Sequence, residues 1–299
     1  MTLRAAPLVS VGLPTYRRPE QLDASARSVL DQSVKDLELV ISDNASGGRT
    51  DEVLAALATD PRVRVLRQDR NRGATANFNA VIAALCGRYR MLLADDDCLS
   101  RRYVERCLAT LRADPGLVLV AGEARWPPDV RDTVGPRPID LSQDDACARV
   151  RHYLAEVTDN SVFFGLAPAT AWERVPPLRN VVGNDWLFVL SFAVQGRVRT
   201  LPDVWIERAS GGASDGIASL VQALGVPPAQ RRAPYLFLAR HVAEEIVWRS
   251  PAARAELAPW RRAALAMRSV QRPLRIHQEN PVFPPSRVAA LALRLLGSA

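Results

Sequence analysis

Apolar positions along the first 121 residues alternate between two periods, one of strands and one of helices. Residues 8–13 form a short apolar run of strand length. Residues 20–32 then place Leu22, Ala26, Val29 and Leu30 at helical spacing, and residues 37–42 return to a strand. The alternation continues with a helix over 50–59, a half-buried strand over 63–67 and a helix over 74–85 carrying Phe78, Val81, Ile82 and Leu85 on one face. A strand over 89–94, a helix with Val104, Cys107, Leu108 and Leu111 as its stripe, and a buried strand over 117–121 close the run. Five strands with four helices between them predict an α/β fold, a mostly parallel sheet flanked by helices. From about residue 215 the pattern turns helical, proline-punctuated and basic, with helices expected over 235–248 and 260–270.

In such sheets ligands bind beyond the carboxyl ends of the strands, so chemistry is sought in the residues that follow each strand. Those positions are polar throughout: Pro14, Thr15 and Tyr16 after the first strand, Asp43 and Asn44 after the second, Asn71, Arg72 and Gly73 after the third, Asp95, Asp96 and Asp97 after the fourth. Three adjacent carboxylates repel one another unless a cation or hydrogen-bond donors compensate. An all-oxygen set of this kind suits Mg²⁺ or Mn²⁺, which use one or two carboxylates and complete their shell with phosphate oxygens and water. On the residues alone, a solvated turn capping the next helix accounts for the cluster about as well. The Asp43 carboxylate can accept from a pyrimidine imide N–H or a ribose hydroxyl; an Asx turn is the plainer alternative. No GxGxxG follows the first strand and there is no GxxxxGK[ST], which removes nicotinamide-binding and P-loop readings.

Composition narrows the class further. With 299 residues, 48% hydrophobic and 24% charged, the chain can bury a full core and is neither disordered nor fibrous. The net charge of +7 invites a nucleic-acid partner, but all 39 basic residues except Lys35 are Arg and they are spread along the whole chain, so no nucleic acid is expected. Cys86, Cys98, Cys107 and Cys147 form no CxxC pair, which suggests a reduced, cytoplasmic protein. The opening stretch is broken by Gly12 and Pro14 and does not read as a signal peptide, and no run reaches the roughly 18 apolar residues of a spanning helix. His152, His241 and His277 lack ligand spacing.

The order and spacing of these clusters resemble the family 2 glycosyltransferases. The resemblance begins at 9–18 (VSVGLPTYRR) and continues through 28–33 (SVLDQS), 37–46 (LELVISDNAS), Asn71-Arg72-Gly73 and Asn77. It includes 92–97 (LLADDD), similar to the family's DXD element, then Tyr103 and Asp114-Pro115-Gly116, with a sparser match to about residue 214. It implies a GT-A fold and transfer of a sugar from a nucleotide diphosphate to an acceptor hydroxyl, with inversion. On this likeness Pro14, Thr15, Tyr16, Asp43, Asn44, Asn71, Gly73, Asn77 and Asp95 would hold the nucleotide-sugar, and Asp96 and Asp97 would be metal ligands for Mg²⁺ or Mn²⁺. Ala94 stands where the motif's first carboxylate is expected, so the assignment among the three Asp side chains stays open.

In the second half, 182–187 (VGNDWL) resembles the family's acidic pair ahead of the acceptor-site helix, with Asn184 replacing the common Glu and Asp185 at the general-base position. From the residues alone, either side chain caps that helix equally well. Arg208, ahead of the glycine-bearing 209–214, is placed by the likeness to pair with leaving phosphates; a surface Arg at a strand end is the alternative. Phe163 and Phe164 fall in an acceptor-facing segment of related enzymes, though an aromatic pair is also ordinary core. The expected division is a GT-A domain over 1–214, split into a nucleotide half 1–121 and an acceptor half 122–214, then a helical extension over 215–299. Within the extension, 286–296 is apolar with two Arg and either packs onto the catalytic domain or gives peripheral contact with the inner membrane face. A UDP or dTDP donor is favoured, and the acceptor is a glycan, a lipid-linked sugar or a small molecule. A nucleotide-binding protein on the same fold without turnover is the alternative, and Ala94 and Asn184 are the departures that fit it.

Overall fold

The apolar strand runs pair as the sequence pattern requires in a computed structural model, which describes residues 6–128, 137–158, 160–209, 221 and 224–274. Strand β1 (Val9–Thr15) lies between β2 (Leu37–Asp43) and β4 (Tyr89–Leu92), and β3 (Val63–Arg67) pairs outside β2, all four parallel. A two-residue β7 (Ala167–Pro168) adds antiparallel to β4, giving the order β3-β2-β1-β4-β7. All seven residues of β1 are buried and six of β2 are, which is why these strands are continuous apolar runs rather than alternations. Helices α1 (Pro19–Leu30), α2 (Arg49–Leu57) and α3 (Ala74–Ala84) make the crossovers; α1 buries Leu22, Ala26 and Val29, α2 buries Leu54 and Leu57, and α3 buries Val81 beside Thr75 and Asn77 while Phe78 and Ile82 stay half-buried. The chain adds β2 and β3 on one side of β1, then crosses to β4 on the other. The switch point therefore lies between β1 and β4, where an open α/β sheet leaves a crevice at its carboxyl edge.

The strand expected over 117–121 does not join this sheet. It runs longer, as β6 (Leu117–Arg125), and belongs to a second sheet of order β5-β8-β6 with β5 (Cys98–Leu99) and β8 (Arg197–Glu207). The outer edge of β4 is taken by β7, and an antiparallel bridge between Val120 and Leu166 links β6 to that region. Helix α4 (Tyr103–Ala113) covers β6 with the buried face Tyr103, Val104, Cys107, Leu108 and Leu111. Gly122 allows β6 to approach β8, since a Cβ there would lie 2.5 Å from the Val204 carbonyl oxygen and 2.7 Å from the Tyr103 ring.

The chain folds as two compact units that interleave in sequence, whereas the sequence pattern divides it into consecutive segments. One unit comprises 1–140, 158–173 and 198–210 and holds both sheets; the other comprises 141–157, 174–197 and 211–299. The described residues of the second are mostly helical. Its helices Ala146–Glu156 and Asn184–Gln195 are tied by the buried Arg149, whose guanidinium donates to the Ala193 and Val194 carbonyls at 2.7 and 3.0 Å. Those are orphan carbonyls of a helix C-terminus. The helix expected over 235–248 is α-helical as Pro234–Glu244 and then widens into a π turn, Glu245–Arg249, and the helix expected over 260–270 spans Pro259–Ser269. No helix among the described residues is long and apolar enough to cross a membrane. Residues 210–214 of the glycine-bearing segment, and 286–296, expected either to pack onto the catalytic domain or to touch a membrane face, lie outside the described residues.

Candidate functional site

The carboxyl ends of β1 and β4 bring the first and fourth polar clusters together at the switch point. Thr15 Oγ1 donates to Asp95 Oδ2 at 2.8 Å, the Tyr16 backbone N–H donates to the same oxygen at 3.3 Å, and the Arg18 guanidinium reaches Asp95 Oδ1 at 3.4 Å. Asp96 is paired with Arg18, and Asp97 with Arg208. Asp97 also accepts from the Ala209 backbone N–H at 3.2 Å. The three carboxylates thus share two guanidiniums. Burial pushes the Asp95 carboxyl up to about 6 and Asp97 up to about 7, with the neighbouring Asp96 charge acting in the same direction and the arginines against it. Both side chains are held where ionisation demands a nearby cation.

Arg208 is itself built into the site. Its guanidinium lies between two aromatic rings, 4.9 Å from the centroid of Trp126 and 4.8 Å from that of Phe164, and it is mostly buried. Such stacking holds a cation by the ring quadrupoles while leaving its donors available. Its Nε is buried and finds no hydrogen-bond partner among the described residues.

The loops after β1, β2 and β3 are joined by hydrogen bonds from the second and third clusters. Asn44 N–H donates to the Thr15 carbonyl at 3.1 Å, Asn44 Nδ2 to Asn71 Oδ1 at 2.8 Å, and Arg72 N–H to Asn44 Oδ1 at 2.8 Å. Asn71 Oδ1 also accepts from Gly73 N–H at 2.8 Å, where Gly73 stands at φ 84° in the left-handed region and opens α3. Asp43 is buried and accepts from the Ser46 N–H at 3.1 Å, the Asx turn foreseen as the plainer alternative, while the Ser46 hydroxyl accepts from Arg17 N–H at 2.9 Å. Arg17 and Ala45 carry φ of 55° and 61°, so the two turns leaving β1 and β2 both hold a non-glycine residue in a disfavoured conformation. Strain of this kind collects at ligand-binding turns. Pro14 is buried within β1, and the half-buried Tyr16 ring faces the Arg17 guanidinium at 5.1 Å.

Asn77, named above with the nucleotide-binding residues, is engaged within the fold. Its Nδ2 donates to the carbonyls of Thr15 at 3.1 Å and Ser42 at 3.0 Å, and its Oδ1 accepts from Ser42 Oγ at 2.6 Å. Buried and fully engaged, it fixes the ends of β1 and β2. The 28–33 motif is structural in the same way. Ser28 Oγ accepts from Leu99 N–H at 3.1 Å, and the buried Gln32 amide bonds the Ser100 carbonyl at 2.9 Å and Val104 N–H at 3.0 Å. It thereby anchors the segment that follows the three Asp residues. Arg18 and Trp126 were not singled out by sequence. Arg18 lies inside a quoted motif, but one guanidinium among so many carries no signal of its own, and a lone Trp after a strand has no period to mark it.

In the helical unit, Asp185 lies in the first turn of Asn184–Gln195 and is half-buried. Gly183, at φ 75°, occupies the N-cap, so neither Asn184 nor Asp185 is the capping residue. Asn184 Oδ1 accepts from Asp185 N–H at 2.8 Å.

No group of three or more acidic, His or Cys side chains among the described residues is arranged as a ready-made metal cage. The donor set nevertheless suits a hard divalent ion, which needs only one or two protein carboxylates when a substrate supplies phosphate oxygens. Asp96 and Asp97 fit that requirement, with Arg18 and Arg208 as the cations now paired with them.

Residues 10–155 match the family model described as Glycosyl transferase family 2. The chain is 36% identical over 123 residues to a chondroitin synthase of Escherichia coli, covering 40% of this chain but only 17% of that protein. Among solved structures it resembles S. aureus TarS 1-349 in complex with UDP-GlcNAc, with a TM-score of 0.66 at 14% identity over 91% of this chain and 74% of that one. It also resembles the mannosyltransferase PcManGT from Pyrobaculum calidifontis in complex with GDP-Man and Mn²⁺, with a TM-score of 0.56 at 20% identity over 98% of this chain and 76% of that one. At these identities the structural likeness shows the fold, which is GT-A with a helical C-terminal region.

Proposed function

Since residues 10–155 match the glycosyl transferase family 2 model, we propose that the protein is a metal-dependent inverting glycosyltransferase, moving a sugar from a nucleotide diphosphate to an acceptor hydroxyl. The observation that carries this reading is the carboxylate cluster at the switch point, where Thr15 and Tyr16 of one strand end hold Asp95 of the other beside Asp96 and Asp97. The linked turns of Asp43, Asn44, Asn71 and Gly73 line the same sheet edge and suit a base and ribose, with Asp43 as acceptor for an imide N–H. That chemistry favours UDP or dTDP, and Asp95 takes the ribose side of the cradle.

Asp96 and Asp97 are the ligands proposed for Mg²⁺ or Mn²⁺, which supplies positive charge to the diphosphate oxygens when bound. Arg208, stacked on Trp126 and Phe164, is the residue proposed to bind the leaving diphosphate as its charge develops, and its stacked position supports that role. The acceptor oxygen attacks the anomeric carbon, the bond from that carbon to the diphosphate oxygen breaks, and the acceptor proton passes to a carboxylate base, for which Asp185 is the candidate. Attack from the face opposite the nucleotide inverts the anomeric centre. A bacterial polysaccharide, a glycolipid or a glycosylated natural product is the proposed setting, with the protein in the cytoplasm or peripheral to the membrane.

The test is nucleoside-diphosphate release from a panel of UDP- and dTDP-sugars, with wild type compared to Asp185→Asn. Turnover is expected to fall at least about a hundredfold in the variant, while nucleotide affinity is retained. Transfer near the wild-type rate would remove Asp185 from the chemistry. Metal-dependent nucleotide binding with no transfer to any acceptor would favour a binding protein on the same fold, the reading that Ala94 and Asn184 suit.

A further inference from the structure

A cavity of about 410 Å³ opens beside Arg208 and is not used by the nucleotide site described above. Its lining includes Glu123, Arg125, Trp126, Arg137, Ser161 and Thr200, all in the same compact unit as the carboxylate cluster. Trp126 connects the two: it lines the cavity, and its ring lies against the guanidinium that holds Asp97. The Arg125 carbonyl reinforces this link by accepting from Arg208 N–H at 2.8 Å. The volume falls within the roughly 300–1,000 Å³ common for small-molecule sites.

The charge of the lining is specific. Arg125 and Arg137 contribute two guanidiniums against the single carboxylate of Glu123. Most arginines near acidic neighbours are paired in this chain, yet neither of these two makes an ion pair among the described residues. Arg125 is instead stacked on Trp205 at 3.4 Å from the ring centroid, which fixes its head group without consuming its donors. Two donor forks and an indole face in one cavity are the elements that recognise a pyranose carrying an anion: the ring stacks on the indole and the anion takes paired N–H bonds.

We propose that this cavity is the acceptor subsite and that it takes a sugar bearing a carboxylate or phosphate group. The proposal rests on the transferase reading of the carboxylate cluster. Arg137 and Arg125 bind the anionic group, and Trp126 sets the ring beside the Arg208 and Asp97 wall.

The experiment is a ligand-observed NMR titration of the full chain, in the presence of UDP and Mn²⁺, with methyl β-glucuronide, glucose 1-phosphate and methyl β-glucoside. Calorimetric titrations of UDP, dTDP and GDP are run on the same protein. At least one acidic sugar is expected to bind about tenfold or more tightly than the neutral glucoside, and comparison of the two acidic probes names carboxylate or phosphate. Arg137→Ala and, separately, Arg125→Ala are expected to erase that preference while leaving UDP binding unchanged. Equal binding of all three sugars, or no binding of either acidic one, overturns the proposal and leaves the transferase reading standing if UDP still binds. Failure of the wild type to bind any nucleotide overturns the transferase reading and the acceptor assignment with it.

Discussion

Asp97 carries two opposed influences, since burial disfavours its charge and Arg208 favours it, and burial prevails, raising the carboxyl from 3.8 to about 7. A folded chain that holds this proton more tightly than the unfolded chain gains stability from it below about pH 4 and loses that gain as pH rises through about 7. Asn at the same position keeps the size without titrating. The difference in Tm between wild type and Asp97→Asn is therefore expected to fall steadily from pH 4 to pH 8. A difference that grows with pH would show that the ion pair with Arg208 outweighs burial. The same arrangement explains why the site invites a cation: a group poised this way is more fully ionised once positive charge arrives.

At the scale of elements, two positions show how the sheets hold the site. Gln32 reaches from the end of α1 to bond the Ser100 carbonyl and the Val104 N–H, so Gln32→Leu strips a buried donor and acceptor beside the segment that carries the three Asp residues. A loss of about 1–3 kcal/mol is expected in urea denaturation, together with weaker nucleotide binding. An unchanged denaturation midpoint would mean that water replaces the amide. Gly122→Ala places a methyl group 2.5 Å from the Val204 carbonyl, and neither that backbone nor the fully buried Tyr103 ring can yield easily. Overpacking of this kind costs about 1–3 kcal/mol; a midpoint equal to wild type would show that β6 and β8 separate freely. Strands β1 to β4 and helices α1 to α4 were legible because strands buried on both faces appear as unbroken apolar runs between amphipathic stripes. The sheet to which β6 belongs was not, because its partner β8 lies far downstream and both β5 and β7 have only two residues, too few to leave a pattern. The polar strand ends were legible for the same reason the strands were. Arg18 and Trp126 were not, since each acquires meaning only from a long-range neighbour.

Across the whole molecule, the net charge of +7 comes almost wholly from arginine, and much of it is spent locally. Arg27 pairs with Asp23, Arg72 with Asp69, Arg102 with Glu105 and Arg240 with Glu244, each within about one helical turn. Arg18 and Arg208 instead reach across the chain to the carboxylate cluster, and Arg125 and Arg137 line the cavity. Arg18, Arg208 and the three carboxylates they pair with are proposed to meet a nucleoside diphosphate carried on a divalent ion. That central claim is tested most directly by thermal unfolding of wild type and Asp96→Ala with UDP, dTDP or GDP, each with Mn²⁺, Mg²⁺ or EDTA, since a ligand that binds only the native state raises Tm by mass action. A rise with one nucleoside diphosphate that needs the divalent ion and disappears in Asp96→Ala is the expected result. An unchanged Tm with every nucleotide and ion, or an equal rise in EDTA and in the variant, would contradict the account.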